Sequence, residues 1–395
     1  MRVIVIGAGA SGMLSAILAA KEGHSVILLE KNDRPGKKLM ATGNGRCNFL
    51  NRRASWINYH GEDPLFAKEV LKAFPPLKVE ELFADLGLET VELDRGKLFP
   101  ASLQAKSVLD VLCRAMRKYG VRAKYRSLVR KIEKQGEEFV VESEETYRGD
   151  RVIFAVGGSV MKKSGSDGSA YVLAKKFGHQ ITAIMPGIVK LNLKEDVKDL
   201  QGVKFTGRVY FEGDVPNEET GDVLFTRSGI SGQAILNLSA SLLRQKVSVF
   251  YLDVLPFWKD AGEKIAKRIE RFGEYSFYDL LVGVIHEKLI DFFLTRAEIE
   301  SKEKVGAASG RKKESLAKIL TACPLQVAGA YSLDDGQVTL GGVDTSKVNP
   351  QTLESKLCPG LFFTGEVLDV DGDCGGYNLG WAWASAMAAV KGMKG

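Results

Sequence analysis

RVIVIGAGASGMLSAILAAKEGHSVILLE, residues 2–30, is the stretch on which the reading of this chain turns. Residues 2–6 read as a short buried strand rich in Val and Ile, and the glycine run after them gives way at 13–21 to small and apolar residues suited to a packed helix. Residues 25–30 form a second buried strand. Strand, glycine turn, helix and parallel strand within about thirty residues predict a right-handed βαβ unit of the dinucleotide-binding kind. In it, Gly7, Gly9 and Gly12 spell GxGxxG. Gly7 permits the tight turn, Gly9 lets a pyrophosphate approach the backbone, and Gly12 lets the helix pack closely on the strand. The N–H groups and positive end of the helix then face the phosphate. Glu30 follows Gly12 by eighteen positions, where a carboxylate accepts hydrogen bonds from an adenosine ribose and repels a 2′-phosphate. NADP is thereby disfavoured, and NAD and FAD both stay open.

At 395 residues the chain is expected to hold two or three domains, and a hydrophobic fraction of 45% beside a charged fraction of 26% excludes wholesale disorder. The formal net charge of +6 comes from 55 basic against 49 acidic residues, a thin excess that suits an anionic ligand better than a nucleic-acid partner. Five scattered cysteines (Cys47, Cys113, Cys323, Cys358, Cys374) contain no CxxC pair, which predicts reduced thiols in a cytoplasmic protein and no zinc site. The four histidines are dispersed, and no metal is expected. Glycines from Gly7 onward interrupt any signal-peptide core, and no run reaches the roughly 18 apolar residues that span a bilayer, so no membrane association is expected.

Along the chain, residues 122–127, 128–134 and 138–143 predict the short strands of a meander, with Gly136 in its last turn. Residues 152–156 predict a buried strand ended by Gly157 and Gly158, and 171–177 a helix stopped by Gly178. From about 188 the pattern becomes short strands, at 209–211, 223–225 and 247–252, as in a small β domain. Residues 256–320 turn charged and helix-periodic, and their basic run of Gly310, Arg311, Lys312 and Lys313 reads as a solvated face. Strand character returns at 325–342, with Asp335 and Gly336 as a hairpin turn. A buried strand at 361–364 and an Ala- and Trp-rich helix at 378–393 then rejoin the first domain.

Two further stretches discriminate between the cofactors. GKKLMATGNGRCN, 36–48, places Lys37, Lys38 and Arg46 where they could neutralise phosphates, while Gly43 and Gly45 let the backbone approach a flat ligand. GEVLDVDGDCGGYN, 365–378, gathers Gly365, Glu366, Asp369, Asp371, Gly375, Gly376 and Asn378 directly before the last helix. A helix N-terminus bared by Gly375 and Gly376 would stabilise the negative charge that develops at flavin N1 and O2 on reduction. Capping by Asn378 or Asp373 is the structural alternative.

These blocks, with KLFPASLQAKSVLDVL at 97–112, VIFAVGG at 152–158, GDVLFTRSGISGQAILNLS at 221–239 and PGLFFTGEVLDVDGDCGGYNLGWAWAS at 359–385, resemble the HI0933-like flavoproteins (YhiN and BaiN type) in order and over nearly the whole chain. The resemblance implies FAD and an α/β fold: a Rossmann-type FAD-binding domain (1–187 and 345–395) interrupted by a β-barrel domain (188–255 and 321–344), which carries a small α-helical insertion (256–320). It further implies that Ala10, Ser11, Glu30, Lys31 and Lys38 hold the adenosine and phosphates. Gly45, Arg46, Cys47 and Asn48 would lie near the pyrophosphate or flavin, and Val129 would offer backbone groups to adenine. Ala155, Gly157, Gly365, Glu366, Asp371, Gly376, Asn378 and Leu379 would line the cofactor. The chain departs from the family at VMKKS, 160–164, and at Val156, Gln233, Cys374 and Gly380, changes expected near the substrate side.

The expected activity is an FAD-dependent oxidoreductase acting on a small molecule, with the flavin reduced by NAD(P)H bound transiently in the cleft between domains, or by the substrate itself. Only one GxGxxG exists, so no second dinucleotide domain is expected. Catalytic residues are not assigned. Ser228 and Ser231 lack the strand-to-helix GxSxG setting of a nucleophile and are read as shaping a turn. Cys47 and Cys374 are the thiols in the cofactor loops, with a redox role weighed against that of small buried residues. The competing readings are an RNA-linked flavoprotein whose basic insertion docks tRNA, and a non-enzymatic flavin-carrying regulatory module. The oligomeric state stays open, with a monomer favoured.

Overall fold

The computed structural model describes residues 1–215, 217–330 and 332–393. The chain divides into two compact units, Met1–Pro186 with Gln337–Gly395, and Gly187–Gly336.

The first unit is built on a five-stranded parallel sheet. Arg2–Ile6 lies at its centre, between Arg151–Phe154 and Ser25–Leu29, with Leu361–Phe363 and Arg122–Lys124 at the edges. Four of its strands are short runs rich in Val, Ile, Leu and Phe because both faces are covered there, while the edge strand Arg122–Lys124 is largely exposed. On one side Ala10–Lys21 packs against the C-terminal helix Tyr377–Gly392. That helix is apolar around most of its circumference, and Trp381 and Trp383 are completely buried in the core. Truncating either to Ala would cost about 3–5 kcal/mol.

Two readings of the sequence are corrected here. Residues 122–124 do not belong to the meander: Ile27, Leu28 and Leu29 pair in parallel with Arg122, Ala123 and Lys124. The three-stranded meander instead runs Lys131–Gln135, Glu138–Glu142 and Thr146–Gly149. Nor is there a hairpin at Asp335 and Gly336. Leu333–Asp335 is a short 3-10 turn, and the strands on either side join different sheets, Cys323–Ala330 in the barrel and Val338–Leu340 beside Met185–Gly187.

The second unit is a closed antiparallel barrel of six strands with four α-helices inserted between Val249–Asp253 and Cys323–Ala330. Lys204–Phe211 pairs with Asn217–Thr226 along its whole length, from Lys204 opposite Leu224 to Phe211 opposite Asn217. Barrel and insertion share one apolar core, in which Phe250, Leu325, Ile265, Phe293 and Leu320 are all buried. The basic run begins the helix Gly310–Thr321, whose N-cap Ser309 accepts from the Lys312 amide, and Lys312 itself pairs with Glu303. Ser231 ends the strand Gly229–Ser231 and passes through Gly232, at φ +99°, into the helix Gln233–Arg244. A strand-to-helix passage is therefore present, contrary to the reading from sequence. It is set by Gly232, where any Cβ would fall 2.2 Å from the Asp222 carbonyl. Among the described residues, no helix is long and apolar enough to cross a membrane.

Candidate cofactor site

In the first unit the glycine turn, the end of the second strand and the first turns of the C-terminal helix border a cavity of about 400 Å³, within the size range of ligand pockets. Each glycine of GxGxxG has a distinct job there. Gly7 sits at φ +100°, its amide donating to the Leu29 carbonyl at 2.8 Å, and an added Cβ would strike the Ala155 carbonyl at 2.4 Å. At Gly12 a Cβ would come within 1.9 Å of the Gly7 carbonyl, so this residue sets the helix against the turn rather than lining the cavity. Gly9 is the opposite case: a Cβ there meets nothing within 4 Å and would project into open space.

Glu30 is buried, and its two oxygens are already engaged, Oε2 by the Ala8 amide and Oε1 by the Asn32 amide, both at 2.7 Å. A carboxylate offers about four lone-pair sites, so two acceptor positions remain for ribose hydroxyls. The Ser127 amide bonds the Glu30 carbonyl at 2.8 Å, which carries Leu128 and Val129 onto the cavity wall.

The other end of the chain closes the cavity. Leu361–Phe363 lies beside Arg151–Phe154, and Gly365 follows at φ +74°, where a Cβ would fall 2.6 Å from the Ser11 hydroxyl. The Trp381 indole donates to the Gly365 carbonyl at 3.1 Å. Glu366, Asn378, Leu379 and Ala382 then face the cavity. Asn378 does not cap by the ordinary bond to its own helix: its amide exchanges two hydrogen bonds with the Gly372 backbone, at 2.8 and 2.7 Å, and so fixes the DGDCGG turn.

Of the residues singled out from sequence, Gly7, Gly9, Ala10, Ser11, Glu30, Lys31 and Lys38 converge on the wall, with Val129, Ala155, Gly157, Glu366, Asn378 and Leu379. Gly12, Gly45, Arg46, Cys47, Asn48, Gly365, Asp371, Gly375 and Gly376 lie off it. Gly45 and Arg46 are exposed, and the Arg46 guanidinium stands over the Phe99 ring at 5.6 Å. Asp371 is buried on a two-residue strand opposite His60. Gly376, at φ +97°, begins the last helix, where a Cβ would meet Leu50 at 2.6 Å and Asn48 Oδ1 at 2.7 Å. Cys47 is completely buried, and burial pushes its thiol up to about 11, away from the thiolate a redox role needs.

The three lysines expected at the adenosine and phosphates, Lys31, Lys37 and Lys38, are all held by carboxylates, Lys37 by Asp33 at 2.9 Å. Lys38 Nζ pairs with Glu366 at 2.6 Å, and Glu366 also accepts from the Thr339 amide at 2.8 Å. Lys31 Nζ pairs with Asp167 at 2.8 Å. Asp167 belongs to a stretch that the reading of the sequence did not assign to the site, residues 164–173, every one of which lines the cavity. Its signal was the GSDGS motif soon after the strand end at VIFAVGG. The departure at 160–164 leads to the Glu30–Asn32 end, where the Asn32 side-chain amide donates to the Ser164 carbonyl at 3.0 Å.

The residues fit FAD. Gly9 leaves a cradle for the pyrophosphate, and Glu30 keeps spare acceptors beside it. Beyond the cavity wall, Asn48 Oδ1 is buried against Gly376 with no hydrogen-bond partner among the described residues. Buried polar atoms rarely go unsatisfied without a ligand or water to meet them.

The sequence profile described as the HI0933-like protein Rossmann domain matches residues 1–392. The chain is 36% identical over 400 residues to the 3-dehydro-bile acid Δ(4,6)-reductase of Clostridium scindens, covering 98% of each. It is 30% identical over 393 residues to the ribosomal RNA dihydrouridine synthase of Escherichia coli, covering 98% of this chain and 96% of that one. Among solved structures it is similar to the 3-ketosteroid Δ4-(5α)-dehydrogenase of Rhodococcus jostii, at 15% identity and a TM-score of 0.49, over 100% of this chain and 96% of that one. The chain belongs to the HI0933-like family of FAD-dependent oxidoreductases.

Proposed function

We propose that this protein is a reductase that saturates a carbon–carbon double bond conjugated to a carbonyl in a small organic molecule, with NADH or NADPH as the transiently bound electron donor. The observation that carries the reading is a cavity to which both ends of the chain contribute, the Gly7–Ser11 turn and Glu30 from one, Glu366, Asn378 and Leu379 from the other. FAD bound there would supply the two-electron chemistry. The chain's own part is to hold and orient it. Glu30 takes the adenosine ribose, and the turn amides take the pyrophosphate. Val129 borders the adenine, and Ala155 and Gly157 form the floor. Gly365, the DGDCGG turn with Asp371, Gly375 and Gly376, and the loop bearing Gly45, Arg46, Cys47 and Asn48 lie off the cavity wall and would support its flavin end from behind.

The type of bond is supported by what two full-length relatives are named for, a bile acid Δ(4,6)-reductase and a dihydrouridine synthase. In a 3-oxo-4,6-diene and in uracil alike, the double bond is conjugated to a carbonyl, which makes its far carbon electrophilic. The small-molecule reading follows the relative with 36% identity, and uridine in ribosomal RNA is a second reading, favoured by relatives of that name at 30% identity from two organisms.

The test is anaerobic. FAD-loaded protein is titrated with NADH and NADPH, and the reduced protein is then mixed with a 3-oxo-4,6-diene steroid. Bleaching by a nicotinamide followed by reoxidation by the steroid supports the proposal. Reoxidation by oxygen alone, with every conjugated enone inert, overturns it. Loss of dihydrouridine from ribosomal RNA in cells lacking the protein would select the second reading.

A further inference from the structure

Lys31 and Asp167 lie 136 residues apart in sequence, yet their side chains meet at 2.8 Å on the wall of the cavity. Around this pair the segment 161–169 is fastened at several points. The Ser164 carbonyl accepts from the Asn32 side chain at 3.0 Å, the Gly158 amide donates to the Ser166 hydroxyl at 3.1 Å, and the Gly168 amide donates to the Gly158 carbonyl at 3.0 Å. Gly165, at φ +94°, permits the approach, since a Cβ there would fall 2.4 Å from the Asn32 side-chain Nδ2. Asn32 in turn gives its backbone N–H to Glu30 at 2.7 Å. The fastening is thus attached to the residue after next from the ribose carboxylate.

We infer that residues 161–169 form a strap over the adenosine half of the cofactor site, that Lys31 and Asp167 are its latch, and that this latch sets how slowly FAD leaves. The inference rests on the FAD site proposed above. Lys31 is then a positioning residue rather than a phosphate ligand, because its ammonium is taken up by Asp167 and reaches the Ser169 hydroxyl as well, at 3.4 Å. The latch is partly solvent-exposed, with 27% of the Lys31 and 38% of the Asp167 side chain accessible. Such a pair is worth little to overall stability and is weakened by salt, which suits a fastening that must open without unfolding the sheet beneath it.

The experiment follows FAD release from the holoprotein by flavin fluorescence after dilution, across a salt series. Asp167→Asn is expected to release FAD roughly two- to five-fold faster at low salt and to lose the salt dependence expected of the natural protein. Gly165→Ala, which displaces the strap from Asn32, is expected to release it at least about ten-fold faster. The exchanged pair Lys31→Asp with Asp167→Lys should restore slow, salt-sensitive release, which a merely local packing effect would not. Melting of the flavin-free Asp167→Asn protein should match that of the natural chain. If release is unchanged in both Asp167→Asn and Gly165→Ala, the strap is overturned while the FAD site stands. A natural chain that retains no FAD would overturn both.

Discussion

The main-chain amide of Ala8 donates to Glu30 Oε2 at 2.7 Å, tying the phosphate turn to the end of the second strand. With the Asn32 amide on Oε1, the carboxylate is fixed by two charge-assisted bonds before any ribose arrives. Under the proposed cofactor binding, recognition of the adenosine would be pre-organised by the same residues that complete the fold.

Glu30→Gln should therefore impair both. The amide keeps one oxygen, but its NH2 must face either the Ala8 or the Asn32 N–H, donor against donor. Hydrogen bonds to charged groups are worth about 1.5–3 kcal/mol each, so FAD affinity, measured by fluorescence quenching, is expected to fall at least about ten-fold, with a lower melting temperature of the flavin-free protein. Unchanged affinity would mean that Glu30 serves the fold alone.

Gly9→Ala and Gly12→Ala separate binding from folding. The Gly9 Cβ enters open space, so that variant should fold with the melting temperature of the natural protein and yet lose FAD, whose phosphates need the cradle. The Gly12 Cβ meets the Gly7 carbonyl at 1.9 Å and must push the helix off the strand, so the second variant should lose stability as well as cofactor. Equal behaviour of the two in calorimetry would refute the division of roles.

Cys47 should be chemically silent. With its thiol pushed up to about 11 by burial, it should resist alkylation in the folded holoprotein near neutral pH and react only on unfolding. Cys47→Ser should leave reduction of the flavin by dithionite unchanged. Rapid native-state labelling at Cys47, mapped by mass spectrometry, would contradict this.

His179 predicts how stability responds to acid. Burial lowers its pKa below the ordinary value, outweighing the opposite pull of Asp344, and Nε2 lies 2.7 Å from the Ser355 hydroxyl. The unfolded chain takes up the proton near about 6.5, whereas the folded chain resists until lower pH. Stability is therefore full above that value and falls as pH drops towards the folded pKa, by at most about 1.4 kcal/mol per pH unit. Denaturant titrations between these limits should show this slope, and His179→Gln should flatten it.

The local half of the site was legible and the long-range half was not. GxGxxG and Glu30 stand within one βαβ unit, so spacing alone predicts that turn and carboxylate meet, as the Ala8–Glu30 bond shows, and GDCGGYN announces its helix by its glycines. The family resemblance puts Lys31, and the basic glycine-rich loop puts Lys38, at the phosphates, and nothing in the sequence near either marks its true partner. Their carboxylates, Asp167 and Glu366, lie 136 and 328 residues away. Residues 122–124 misled for a related reason: a parallel strand finds its neighbour through a crossover, which no hairpin signal marks. The stretch 164–173 escaped because Gly- and Ser-rich segments read as loops until the fold lays them on a wall.

The most direct test is the cofactor content of the purified protein, from its visible spectrum and from the nucleotide released on denaturation. The expected result is the yellow flavin absorbance with one FAD per chain, either as isolated or after reconstitution. A colourless protein that takes up NAD and refuses FAD would contradict the account.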